Sequence, residues 1–228
     1  MKKYFVLVLF VGLFVCSCAT QKSWVYSTNN YNYAPVHPNK SAVILPFKDS
    51  RDNINKNKLM MYLIPIYPSY GWMDYNVPEG TSMHLSSRMW TNYKPSEDYP
   101  KALAKELTSA GIFKEVYFAF RKGDSDFVIK GEILSTKYTG SCRAYGLSAY
   151  GPLLWFIGFP AGVVTNELEI KLSCVDNKSN NVLFSKTYTA PKYKIKHWIY
   201  VMPNEFNYPS MLKGLYKDFI EDIRGIYL

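Results

Sequence analysis

The residues able to carry covalent or acid–base chemistry are few and scattered. Three histidines, His37, His84 and His197, lie far apart in the sequence. His197 shares an alternating face with Tyr193, Ile195 and Ile199, which suits a packed core histidine better than a base. The run Gly146-Leu147-Ser148-Ala149-Tyr150 lacks the second glycine that a nucleophile elbow needs to present its serine. No CxxC, HExxH or GxGxxG run occurs. Asp49, Asp52, Asp74 and Glu79 have no spacing that forces them together, so they read as solvated loop carboxylates. No catalytic residue and no metal ligand set are therefore expected. Cys142 and Cys174 are poorly placed for a bridge. If 127–140 pairs with 167–176 around a loop centred near 155, Cys142 faces about residue 168. Cys174 then lies ~20 Å further on at ~3.3 Å per residue, against a Cα separation of ~7 Å that a disulfide tolerates. Two free thiols are expected, with Cys174 buried.

The remaining cysteines close an N-terminal pattern. Met1-Lys2-Lys3 is followed by Tyr4 to Val15 without a charge, a basic region and then an apolar run too short to cross a bilayer comfortably. It ends Val15-Cys16-Ser17-Cys18-Ala19. This resembles the lipobox of bacterial lipoproteins, in which a small residue precedes the modified cysteine; Ser17 fits before Cys18, whereas Val15 before Cys16 does not. The resemblance implies that 1–17 are a signal peptide and that Cys18 carries a diacylglycerol thioether, normally with a further acyl chain on the new N-terminus. Two or three chains hold a protein to a bilayer firmly where one anchors marginally. Ala19 follows rather than Asp, and no acidic cluster follows Cys18. By the same resemblance the location is the periplasmic face of the outer membrane, and no cofactor is expected beyond the covalent lipid.

The elements that must position any site follow from composition and pattern. The 228 residues are 48% hydrophobic and 17% aromatic, with 20 tyrosines and a formal net charge of +9, enough apolar material for one core. Residues 18–40 are polar and aperiodic and read as a lipidated tether, spanning about 26 Å if flexible. Ser41 to Phe47 reads as a buried strand, and 59–80 as an apolar loop whose prolines exclude a long helix. Asp98 is placed to cap a helix running to Ala110, with Leu103, Leu107 and Ala110 inward and Lys101, Lys105 and Glu106 wet. Strands are expected at 115–120, 127–134, 168–174, 182–188 and 193–201, and a final helix from Tyr208 to Ile223. The result is an α+β fold over 41–228: a mostly antiparallel sheet of four to six strands, two main helices on one face, and apolar loop inserts.

Val43-Ile44-Leu45-Pro46-Phe47-Lys48-Asp49, the helix Ala102-Leu103-Ala104-Lys105-Glu106-Leu107 and the strand after Gly111-Ile112-Phe113 resemble, in order and pattern, a group of envelope modules. The group comprises the N-terminal domain of TolB, the curli-secretion lipoproteins and the lipoproteins that activate peptidoglycan synthases. The resemblance implies a module that binds protein partners and contributes no catalytic residue. The inserts 59–80 and 144–164 depart from it. Ala144 to Asn166 contains no charge. Its glycines and prolines break any membrane-spanning helix. Three readings stay open: the loop completes the core, it docks a partner, or it enters the lipid headgroups with Trp155 and Tyr150 as interfacial anchors. Tyr150, Leu154, Trp155 and Phe156 are the expected contact residues. Lys186, Lys192, Lys194 and Lys196 read as a solvated face with weak attraction for anionic lipid or glycan, not as a nucleic-acid surface. The expected function is a non-enzymatic envelope lipoprotein that binds an envelope protein; the alternative is a carrier whose loops 59–80 and 144–164 enclose a lipid-like ligand.

Overall fold

The computed structural model describes residues 24–31, 33, 36–58, 71–81, 93–147, 150–200 and 205–226. The expected signal peptide, Cys18 and most of the apolar stretch 59–80 lie outside these residues. Among the described residues three helices, α1 (Pro95–Ala110), α2 (Gly151–Phe156) and α3 (Tyr208–Arg224), accompany eleven strands.

Ala42, Val43 and Ile44 are all fully buried, as a strand with neighbours on both edges and cover on both faces must be. They end β1 (His37–Ile44), which pairs in parallel with β5 (Phe113–Phe118) on one side and β6 (Phe127–Ser135) on the other. β6 pairs antiparallel with β9 (Glu169–Asp176), and β9 with β10 (Val182–Thr189). After Pro46 the short β2 (Lys48–Asp49) resumes alongside β6. The sheet is therefore mixed and six-stranded, in the order β10-β9-β6-β1-β5 with β2 beside β6. Gly131 in β6 makes room for Phe47, whose ring atoms would lie 2.5 Å from any Cβ placed there.

α1 and α3 bring their apolar stripes into one core with the inward side chains of β1, β6 and β9, among them Ile44, Ile129 and Ile170. α3 buries Leu212, Leu215, Tyr216, Phe219 and Ile223, the stripe expected from its spacing. α1 starts earlier than expected. Asp98 is not its cap but sits inside the first turns and accepts the Lys94 N–H at 2.7 Å. Pro100, within α1, cannot donate to the Ser96 carbonyl. That carbonyl accepts the Phe47 N–H instead, at 2.9 Å, so the proline frees an acceptor that ties the helix to the chain after β1.

A second sheet, antiparallel throughout, has the order β11 (Tyr193–His197), β8 (Gly162–Asn166), β7 (Tyr138–Cys142), β4 (Trp72–Asn76) and β3 (Ile54–Asn57). The α+β class agrees with the sequence reading, but the strands divide between two sheets. Trp72–Asn76 and Gly162–Asn166 were expected in loops; ladder pairing on both edges satisfies their backbones instead. The chain passes from β6 to β7 at Thr136–Lys137. There Thr136 N–H donates to Asn76 Oδ1 (2.9 Å), its Oγ1 accepts from Arg51 Nη1 (2.6 Å), and its carbonyl accepts from Tyr208 Oη (2.9 Å). Arg51 is buried and pairs bidentately with Asp49 at 2.8 and 2.5 Å.

Three expectations are corrected. The tether 18–40 is not free over its described part. Trp24 packs its ring 5.6–6.3 Å from those of Tyr93, Tyr99 and Phe206, and His37–Lys40 already belong to β1. Glu106, expected wet, is 0% exposed. Its carboxylate accepts from Tyr26 Oη (2.6 Å), Tyr31 Oη (2.5 Å) and the Asn29 N–H (3.0 Å). Tyrosines can bury their rings while their hydroxyls find an acceptor, so a segment without apolar periodicity still packs. Burial, reinforced by the Glu106 carboxylate, raises both phenols above their ordinary value. The third correction is register. Cys142 lies opposite Gly162 and Cys174 opposite Ile129, because β7 pairs with β8 rather than with β9. Both are free thiols, Cys174 buried.

Candidate functional site

The uncharged stretch forms the connection between β7 and β8. Their ladder runs from Tyr138 opposite Asn166 to Cys142 opposite Gly162, and the Arg143 N–H extends it by donating to the Ala161 carbonyl at 2.9 Å. Beyond that point the chain builds a crest over 144–160. Tyr145 and Gly146 turn it with positive φ of 56° and 76°. The Leu147 N–H donates to Ala144 O at 2.9 Å, and α2 follows. Gly151 begins α2 against the Ala144 backbone, where a Cβ would lie 2.4 Å from the Ala144 carbonyl oxygen. Gly158, with φ of 98°, ends the turn after the helix.

Side-chain bonds fasten this crest to its base. Trp155 Nε1 donates to Arg143 O at 2.8 Å, Tyr145 Oη to Pro160 O at 2.5 Å, and Tyr200 Oη to Phe156 O at 2.6 Å. The Tyr145 and Phe159 rings meet edge to face at 5.4 Å. The crest is thus a built structure with its apolar side chains turned out. Tyr150 is 72% exposed, Ile157 70%, Leu153 61% and Phe156 55%.

The four contact residues expected from the sequence divide. Tyr150 and Phe156 point to solvent, while Leu154 and Trp155 are half-buried and hold the crest down. Leu153 and Ile157 replace them on the outer face. Helical spacing through 150, 153, 156 and 157 was the signal that would have found them. The ends of the stretch do complete a core, since Ala144, Val163 and Val164 are buried and Val164 packs with Tyr75, Val77 and Tyr138, whereas Tyr150, Leu153, Phe156 and Ile157 face outward. Cys18 lies outside the described residues.

Exposed charge around the crest is mostly basic. No Asp or Glu occurs between Glu132 and Glu167, between Asp52 and Asp74, or between Asp176 and Glu205. These three stretches supply β7, β8, β3 and β11. Around the crest end of the second sheet stand Lys58 after β3, Arg143 after β7 and Lys196 in β11, opposite Val163; Lys194 lies two residues further down, opposite Thr165. All four are exposed. Lys186 and Lys192 instead pair with Asp222 (2.7 Å) and Glu167 (2.8 Å). His197, expected in the core, is largely buried at the crest base, with Nε2 at 3.2 Å from Glu205 Oε1.

Among the described residues, no three His, Cys, Asp or Glu stand together as a metal site, and no helix is long and apolar enough to cross a membrane. A cavity of about 340 Å³ opens on the face of the six-stranded sheet away from the helices. It is lined by Lys48, Lys130, Gly131, Glu132, Lys171, Ser173, Val182 and Ser185, four of them charged.

No family model matches the chain, and no curated protein matches it. Solved structures of similar arrangement include a Xanthomonas campestris protein of the family DUF330, at 11% identity and TM-score 0.45, covering 90% of this chain and 93% of that one. PelC of Paraburkholderia phytofirmans, solved as a dodecamer, has 9% identity and TM-score 0.40 over 86% and 93% of the two chains. A lipoprotein of Neisseria meningitidis has 10% identity and TM-score 0.36 over 81% and 97%. At these TM-scores the likenesses carry no argument about this chain.

Proposed function

We propose that this chain is a lipid-anchored module of the cell envelope that binds rather than catalyses, held through Cys18 to the periplasmic face of the outer membrane. The crest over 144–160 is its docking surface. The observation that carries the reading is the crest itself. It sets four large apolar side chains in solvent and uses three side-chain hydrogen bonds to keep them there. Such patches on a folded protein mark contact sites. The lipobox-like run ending at Cys18 supports the anchor. The carrier alternative draws no support from the cavity on the six-stranded sheet, whose lining carries four charged side chains.

The test is photocrosslinking in cells from a photoreactive residue at position 157, with residues 1–18 intact. An adduct of defined mass, protein or lipid, supports a docking surface. A residue at 157 that reacts only with water shows that the crest contacts nothing and removes the reading. Metabolic labelling with palmitate tests the anchor separately, and a label that survives Cys18→Ser excludes Cys18 as its site.

A further inference from the structure

We propose that the crest docks on an anionic lipid bilayer, the same one that holds Cys18, with Tyr150, Leu153, Phe156 and Ile157 in the headgroup region and Lys58, Arg143, Lys194 and Lys196 around them on the phosphates. This rests on the crest being a docking surface and names its occupant, in place of the envelope protein expected from the sequence.

Three observations favour lipid. The first is chemistry. The outward side chains are aromatic and branched aliphatic, the crest carries no charge from Ala144 to Asn166, and the Tyr145 hydroxyl and Trp155 indole N–H are already bonded within it or to its base. Surfaces that enter the bilayer interface combine an apolar tip with basic residues behind it, and tyrosine and phenylalanine suit that depth. The second is charge. Three of the stretches that meet at this end of the sheet lack carboxylates over their whole lengths, Asp74 of β4 pairs with Lys137 and Glu205 with His197, and four exposed cations stand there. A basic collar of this kind is attracted to an anionic leaflet, and salt screens that attraction.

The third is reach. Trp24 is fixed in the core by Tyr93, Tyr99 and Phe206. Five residues separate it from Cys18, at most about 20 Å of extended chain. The folded body therefore cannot stand far off the membrane that holds the lipid. Contacts also link this attachment point to the crest base. Trp24 packs on Phe206, its neighbour Glu205 binds His197, and His197 pairs with Gly162 at the foot of the crest. A body held this closely brings the apolar tip to the bilayer at high effective concentration, so weak insertion suffices.

The test is cosedimentation of the chain from residue 18 onward, carrying Cys18→Ser, with vesicles of phosphatidylethanolamine and phosphatidylglycerol. All described contacts fall within 24–226, so removal of 1–17 leaves them in place. Binding is expected to these vesicles and to weaken in high salt. Leu153→Glu and Ile157→Glu should each lower it about tenfold or more, because each puts a charge into the interface. The pair Lys194→Glu with Lys196→Glu should lower it on anionic vesicles and leave the weaker binding to pure phosphatidylcholine unchanged. All these positions are exposed, and an unchanged circular dichroism spectrum shows that the variants fold. Equal vesicle binding by wild type and Ile157→Glu overturns the proposal, as does no binding at all. If binding is absent while the crosslinker at 157 captures a protein in cells, the crest remains a docking surface and only its lipid occupant is refuted.

Discussion

The bonds on Glu106 make the segment 24–33 a latch whose strength can be worked out. In Tyr26→Phe the ring is retained, stacked on Trp24 at 6.1 Å, and only the hydroxyl that donates to Glu106 is removed. A hydrogen bond to a charged group contributes roughly 1.5–3 kcal/mol. Tyr26 is only half-buried, so the lower part of that range applies, about 1.5–2 kcal/mol. Since about 1.4 kcal/mol is tenfold, the latch should open about 10–30 times more often. The Asn29 amide reports this directly, because it donates to the same carboxylate at 3.0 Å. Native-state hydrogen exchange should show its protection falling by that factor. The amides of Ile170 to Cys174, in the middle of β9, should keep theirs, since the latch can open without breaking the sheet. Unchanged exchange at Asn29 would refute the reasoning. So would a rise matched at β9, which would mean that the segment unfolds only with the whole domain.

Three further outcomes are expected. Tyr26 and Tyr31 have raised values in the folded state, so their contribution is complete below the ordinary tyrosine value of about 10 and is lost as pH rises beyond it, when the detached segment ionises and the latched one does not. Phenolate absorbance should then rise together with a change in the Trp24 indole resonance; two ordinary tyrosines titrating near pH 10 with Trp24 unmoved would count against the latch. Gly151→Ala forces a Cβ against the Ala144 backbone and should cost about 1–3 kcal/mol by chemical denaturation, and an unaltered midpoint would show that the crest is looser than described. Burial pushes the Cys174 thiol up to about 12, so Cys174 should resist alkylation in the native protein and react fully in denaturant, as mass spectrometry reads; prompt native labelling of Cys174 would contradict its placement.

Much of the scaffold was legible because it follows simple periods. The α3 stripe and the alternation along β6 and β9 each fit one buried face, and the structure buries those residues. Ala42-Val43-Ile44 read as a buried strand, but nothing in a continuous apolar run states which strands flank it, so the parallel pairing with β5 and β6 had no sequence signal. The latch escaped because its burial depends on hydroxyls meeting one carboxylate in α1, and Glu106 by period alone looks like a surface residue. β8 was hidden inside a stretch uniformly without charge, where Gly162 to Asn166 shows no alternation. The crest was found as a segment. Which of its side chains face outward was not, because that depends on where the short α2 starts, and the start is set by the contact between Gly151 and Ala144.

The pairing of β1 also governs when the chain can fold. Ala42 has no partner until Val116 and Phe127 have been made, and the latch closes later still, since Asn29 Nδ2 donates to the carbonyl of Lys213 in α3 at 3.3 Å. Contacts so distant in sequence form slowly. A polypeptide with a leader crosses its membrane N-terminus first and must stay threadable while it does so. On the export proposed above, the earliest segment of this chain to emerge is also the one that waits longest for its partners, because the latch is complete only when α3 has followed.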